Sequence, residues 1–305
     1  MEEMKMAVME RMEQVERILQ ERGFDFSLSW MEKPANNSEP LYGFGILEKG
    51  RCGGPVFYYS KEYERLSDQE LADEIIRFYG DLKQVLEKME QVTLDHIMDS
   101  VLPRIYHQSN YEKFKKAGYV CGIVFDFAVT FYIPVPGFEE GEERASVILN
   151  EKLVDSSLSF ETIFNQAMKN LKSKAVVRSM RDVLMNFMEM PPGGFPFPDL
   201  SDFKPQFLIL TTDSEQFGAA AILDLHLLQK LYHYYDEEPF YLLPSSIHEI
   251  LTLPATAFEE DELREMVTDI NQVAVKPEEV LADQVYFYNG SSLMIPGEER
   301  FYGTL

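Results

Sequence analysis

The stretch from Pro205 to Pro254, PQFLILTTDSEQFGAAAILDLHLLQKLYHYYDEEPFYLLPSSIHEILTLP, constrains the fold more than any other part of the chain. Gln206–Thr212 is a short apolar run of strand formers, bounded by Pro205 and the polar cluster Asp213-Ser214-Glu215. Gly218–Leu223 is a second apolar run, too short for a stable helix. Its small side chains predict a strand that pairs with the first and lets a helix pack closely over it. Asp224 stands where its carboxylate can cap that helix. Leu225, Leu228, Leu231, Tyr232 and Tyr235 then follow at helical spacing and form one apolar stripe. Phe240–Leu243 and Ile247–Leu253 read as two strands around Pro244-Ser245-Ser246, a trio with a fixed φ and two hydroxyls for local backbone. The expectation is a ββαββ unit.

The flanking regions carry the same alternation of helix and strand patterns. Residues 1–22 place Met4, Val8, Met12, Val15, Ile18 and Leu19 on one side of a helix, and Gly23 ends it. Phe24–Met31, Leu41–Leu47 and Pro55–Ser60 read as strands. The glycine-rich loop between the last two fits neither GxxxxGK[ST] nor GxGxxG, so it is a turn and not a phosphate cradle. Ser67-Asp68-Gln69-Glu70 is a capping box that starts a helix reaching about Val92, with Gly80 a weak point. Thr93–Pro103 begins as helix. Tyr119–Pro134, the most apolar run, predicts one strand bent at Gly122 and buried on both faces. Ala145–Asn150 returns beside it, after the acidic loop Phe138–Arg144.

Ser159 caps a further helix, and Val183–Met190 has helical pattern again. Pro191–Pro198, PPGGFPFP, can hold neither helix nor central strand and reads as a linker. The predicted organisation is therefore an α+β fold with an amino-terminal half (1–190), a linker (191–198) and a carboxy-terminal half (199–305). The latter adds a helix with four acids in its first turn, Glu259-Glu260-Asp261-Glu262, and Leu263, Met266, Val267 and Ile270 as its buried side. A last hairpin turns at Asn289-Gly290.

Charge limits the function classes. The chain has 52 acidic and 28 basic residues, a net charge of −24. Such a field repels nucleic acid and anionic membrane; it can serve solubility, attract a basic protein partner or imitate a phosphate backbone. Lys169, Lys172, Lys174, Arg178 and Arg181 form the single basic cluster and read as a solvated face beside acidic neighbours. No apolar run is long enough to span a membrane. The charged start, MEEMKMAVMERMEQ, lacks a signal peptide's apolar core, and the two cysteines, Cys52 and Cys121, make no CxxC pair. Cytoplasmic residence is expected.

Three stretches together resemble a known family: LYGFGILEKGRCGGPVFYYSKEYERLSDQELADEIIRFYG, FDFAVTFYIPV, and FYLLPSSIHEILTLP followed by ELREMVTDINQVAVKPEEVLADQVYFYN. The chain is similar to a bacterial family catalogued as domain of unknown function 5688, along nearly its whole length. The resemblance implies a cytoplasmic bacterial protein with an α+β fold. It carries no activity, cofactor or site residue.

Chemistry has three weak candidates. Asp126 lies in the most apolar run, where burial raises a carboxyl pKa and suits a general acid or base. The plainer role is a structural carboxylate bonded to a backbone amide or to an arginine such as Arg144 or Arg104. Ser246 and His248, with Ser245 and Glu249, bring hydroxyl, imidazole and carboxylate close together as a hydrolase needs. Neighbouring strand residues diverge, however, and no GxSxG elbow accompanies them, which favours turn chemistry. Of the five histidines, His226 and His233 share a helix face but sit too far apart for one ion. No catalytic, cofactor-binding or metal residue is assigned. The preferred reading is a non-enzymatic acidic protein that binds a basic protein partner. An enzyme with its site between the halves, or a nucleic-acid mimic that blocks a host defence protein, stands as the alternative.

Overall fold

The structure is a computed structural model and describes residues 2–50, 54–89, 94–135, 146–151, 154, 158–179 and 207–303. The expected linker, the acidic loop, the helix at 183–190 and the residues Cys52, Arg144 and Arg181 lie outside these. All paired strands run antiparallel, and helices alternate with them in separate runs, so the protein is α+β. It falls into two compact units, Met1–Thr93 with Val135–Ala145 and Leu94–Pro134 with Ser146–Leu305.

The first unit runs α1 (Glu2–Glu21), β1 (Phe26–Lys33), β2 (Leu41–Glu48), β3 (Val56–Tyr58) and α2 (Asp68–Met89). Gly23, at φ +90, ends α1, and the Phe24 amide reaches back to the Leu19 carbonyl at 3.0 Å. Met12, Val15 and Leu19 of α1 and Leu71, Ile75 and Tyr79 of α2 bury against Phe26, Phe44, Ile46 and Phe57 of the three-stranded sheet. The capping box is closed: Ser67 N donates to Glu70 Oε2 at 2.7 Å, and Glu70 N to Ser67 Oγ at 3.3 Å. That helix passes through Gly80 without interruption.

The second unit holds two sheets. In the smaller, β4 (Leu102–His107), β6 (Phe127–Pro134) and β5 (Cys121–Val124) lie in that order, and β7 (Ser146–Ile148) pairs with the far end of β6. Three helices belong to this part: α3 (Leu94–Ser100), α4 (Tyr111–Lys116) and α5 (Phe160–Leu171). The run Tyr119–Pro134 is thus a hairpin and not one bent strand. Its two-residue turn is Phe125-Asp126, and Phe125 takes a left-handed φ of +57 that the composition of the run does not announce.

The larger sheet has the order β14-β13-β12-β10-β11-β9-β8. Its strands are β8 (Ala175–Ser179), β9 (Leu208–Thr212), β10 (Phe240–Pro244), β11 (Ile250–Pro254), β12 (Tyr286–Tyr288), β13 (Ser292–Met294) and β14 (Phe301–Gly303). The expected small-residue strand at Gly218–Leu223 is instead a fully buried 3-10 turn. Both edges of β9 are already taken, by β11 and β8, so no pairing position is left for it. The small residues serve close approach: a Cβ on Gly218 would lie 2.4 Å from Thr211 Cα. α6 (Leu225–Tyr234) follows, capped by Asp224 through the His226 and Leu227 amides at 3.1 and 3.4 Å. β8 and β14 are absent from the sequence reading.

Two turns differ from expectation in detail. β10 and β11 join through the five-residue loop Ser245–Glu249, with Pro244 opposite Ile250, because Ile247 is drawn inward and its amide donates to the Glu279 carbonyl at 2.8 Å. The last hairpin turns at Gly290-Ser291, one residue later than expected. There Asn289 Oδ1 accepts the Ser291 and Ser292 amides, and Gly290 takes φ +96.

α7 (Glu260–Val273) packs on the outer face of the sheet. Leu263 and Val267 pack with Leu243, Leu253 and Val285. Each such side chain contributes roughly 1.5–3 kcal/mol on burial.

Candidate functional site

Asp126 occupies the turn between β5 and β6, and only 4% of it is exposed. Its Oδ1 accepts Gln108 Nε2 at 2.7 Å and lies 3.5 Å from Arg300 Nη1; its Oδ2 accepts the Tyr286 hydroxyl at 3.0 Å. Burial first, and the Asp126 charge second, push the Tyr286 hydroxyl well above its ordinary pKa, so it stays a donor. Phe125 holds the strained turn by packing against Phe127, Tyr286 and Tyr302. Asp126 therefore ties the segment before residue 190 to that after 199, through Arg300 instead of Arg104, while Arg144 lies outside the described residues. Both oxygens are in use, and the arrangement is that of a structural carboxylate.

The serine–histidine loop is likewise closed on itself. Ser246 Oγ accepts the His248 backbone amide at 3.0 Å, and Ser245 Oγ donates to Glu249 Oε1 at 3.0 Å. The imidazole turns away from both hydroxyls. Its Nδ1 accepts the Phe217 amide at 3.2 Å, which places the ring proton on Nε2, and the ring stacks on Phe217 at 5.1 Å. Burial lowers the His248 pKa. Among the described residues, no serine hydroxyl is hydrogen-bonded to the imidazole as a nucleophile is to its base. Phe217 itself stands at φ +53, a costly conformation for an aromatic residue, and no sequence signal marks it. Among the described residues, no group of three His, Cys, Asp or Glu is arranged to hold a metal ion.

Two members of the basic cluster are paired with acids. Lys174 pairs with Asp213 at 3.1 Å and Arg178 with Glu215, both acids lying just beyond β9.

A third feature is a surface. The sequence pattern puts Met266 and Ile270 on the buried side of α7, yet each is 43% exposed, and Val273 is 89% exposed. The reason is polar. Asn271 is buried, and its Nδ2 donates to the Ala282 carbonyl at 3.1 Å and to Asp283 Oδ1 at 2.8 Å. That anchor makes Leu263, Val267 and Asn271 the inward row, at i, i+4 and i+8. Met266, Ile270 and Val273 are left on the outside as a second apolar row. Glu262, Glu265 and Asp269 lie beside it and are exposed.

A family model described as "Family of unknown function (DUF5688)" matches residues 1–290. The chain belongs to that family. The match takes in α1 through β12, and so includes Asp126, His248 and the whole of α7, whereas Arg300 lies outside it. No curated protein and no solved structure matches the chain. No helix among the described residues is long and apolar enough to cross a membrane.

Proposed function

We propose that this family member is a non-enzymatic interaction protein whose acidic surface receives a basic protein partner on α7. The observation that carries this reading is the exposed row Met266, Ile270 and Val273 alongside Glu262, Glu265 and Asp269. Apolar side chains supply affinity once covered, at about 25 cal/mol per Å². The flanking carboxylates add attraction for lysine and arginine and reject acidic competitors. The net charge of −24 extends that attraction beyond contact range, within a screening length of about 8–10 Å at physiological salt. The catalytic alternatives draw no support from geometry, since both Asp126 oxygens, the Ser246 hydroxyl oxygen and His248 Nδ1 are engaged in internal bonds.

The test is a comparison of proteins captured from the source cells by the native chain and by Ile270→Ser/Val273→Ser, followed by reconstitution with the purified captured protein. A basic protein should bind directly, more weakly by about tenfold or more to the variant, since losing an interface hot spot costs about 2 kcal/mol or more. Its affinity should fall as salt rises. A captured set identical for both chains, or dominated by acidic proteins, would refute the reading. Both substitutions lie on the solvent side of α7, so stability should be unchanged.

A further inference from the structure

Arg104, in the edge strand β4, has a setting unlike that of any other described arginine. Its guanidinium carbon lies 3.8 Å from the centre of the Phe217 ring and 4.9 Å from that of Tyr106. Its Nε is sealed from solvent and has no hydrogen-bond partner. No carboxylate among the described residues pairs with it; the groups acting on its charge are the hydroxyls of Tyr106, Tyr132 and Tyr119. This happens in a chain where acids outnumber bases by 52 to 28. Tyr132 completes the surround: its ring meets Phe217 edge-on at 5.0 Å, and it faces the same side of the sheet as Arg104 and Tyr106.

Arg104 is partly buried; withdrawing a cation from water without an anion is costly, and π faces offset only part of that cost. The donors around it share one polarity. Burial pushes the Tyr106 hydroxyl up to about 12 and raises that of Tyr132 further, so both remain O–H donors. Neither hydroxyl bonds to a described residue. Phe217, in its left-handed backbone conformation, sets an aromatic ring over the guanidinium. A planar fork of N–H groups with two phenols beside it and aromatic walls around it is built to receive oxygen atoms carrying negative charge.

We propose that Arg104, with the hydroxyls of Tyr106 and Tyr132 and the wall of Phe217, binds a small oxyanion, the carboxylate or phosphate group of a small molecule. The protein's strong negative field disfavours polyanions, which restricts the ligand to one of low charge. None of these four residues lies on α7.

The experiment titrates the full chain with benzoate and, separately, inorganic phosphate, at ionic strength held constant with chloride. Thermal shift and calorimetry read affinity, and the ¹⁵N–¹H resonance of the sealed Arg104 Nε reads location. At least one probe should bind saturably with one site per chain, raise Tm and shift that resonance. Benzoate alone would identify a carboxylate site, phosphate alone a phosphate site. Arg104→Met should weaken binding about tenfold or more, as expected when a charge-assisted hydrogen bond is lost. If Arg104→Met does not fold, Tyr132→Phe keeps the ring, removes one donor, and should weaken binding several-fold. The proposal is overturned if neither probe saturates at millimolar concentration, if the folded variant binds as tightly as the native chain, or if binding leaves the Nε resonance unmoved.

Discussion

Asp126 and Arg104 belong to the same small sheet, one in its hairpin turn and the other in its edge strand, and their charges are treated in opposite ways. Asp126 is met by Gln108, Tyr286 and Arg300, so its desolvation is matched by donors on both oxygens. Arg104 is met by rings, and its Nε has no acceptor. The first arrangement is complete in the folded chain. The second leaves a partly exposed arginine with no carboxylate partner among the described residues, which is where the proposed oxyanion would bind. Burial alone does not mark a functional charge; the inventory of its partners does.

The largest expected effect comes from breaking the complete arrangement. Asp126→Ala strands the Tyr286 hydroxyl and the Gln108 amide, both from groups with buried partners. It should cost about 3 kcal/mol, on the order of a 10 °C fall in Tm for a unit of this size. Asp126→Asn should cost less, since it keeps one acceptor. A melting temperature unchanged in both would show that the network is not formed in solution.

The matching substitution at the other centre should behave differently. In buffer free of phosphate and carboxylates, Arg104→Met removes an unpaired cation and keeps an apolar stem against Phe217. Stability should stay level or rise by up to about 1 kcal/mol. Chemical denaturation checks this. A loss as large as that for Asp126→Ala would erase the distinction and make Arg104 a structural residue.

The smallest effect is a pH dependence carried by His248, which shares the Phe217 ring with Arg104. Its folded-state pKa is depressed below the ordinary 6.5, by burial first, with the Arg104 charge adding to the fall while Glu279 opposes it. The unfolded chain therefore takes the proton first. The contribution to stability is full above the ordinary value and is lost as pH falls from there through the folded-state value. Urea unfolding between about pH 7.5 and about pH 5.5 should show a shallower decline for His248→Gln than for the native chain. Equal slopes would mean that the imidazole is not held neutral by its place against Phe217.

Several features were legible from local pattern alone: the amphipathic faces of α1, α2 and α6, the caps at Ser67, Ser159 and Asp224, the acidic balance and the family. Each depends on residues a few positions apart, which are near neighbours in any helix or turn. The β10–β11 pairing was legible too, with its loop lengthened by the inward pull on Ile247. What only the tertiary structure decided involves residues far apart in the chain. The 3-10 turn at Gly218–Leu223 follows from β8 occupying the free edge of β9. The outward row on α7 follows from Asn271 finding partners at Ala282 and Asp283. Asp126 finds its donors at Tyr286 and Arg300, and Arg104 Nε finds no acceptor among the described residues. Periodicity records which side of an element is apolar, but whether a polar group is satisfied depends on what distant segments bring to it, and that is set only when the sheets and helices pack.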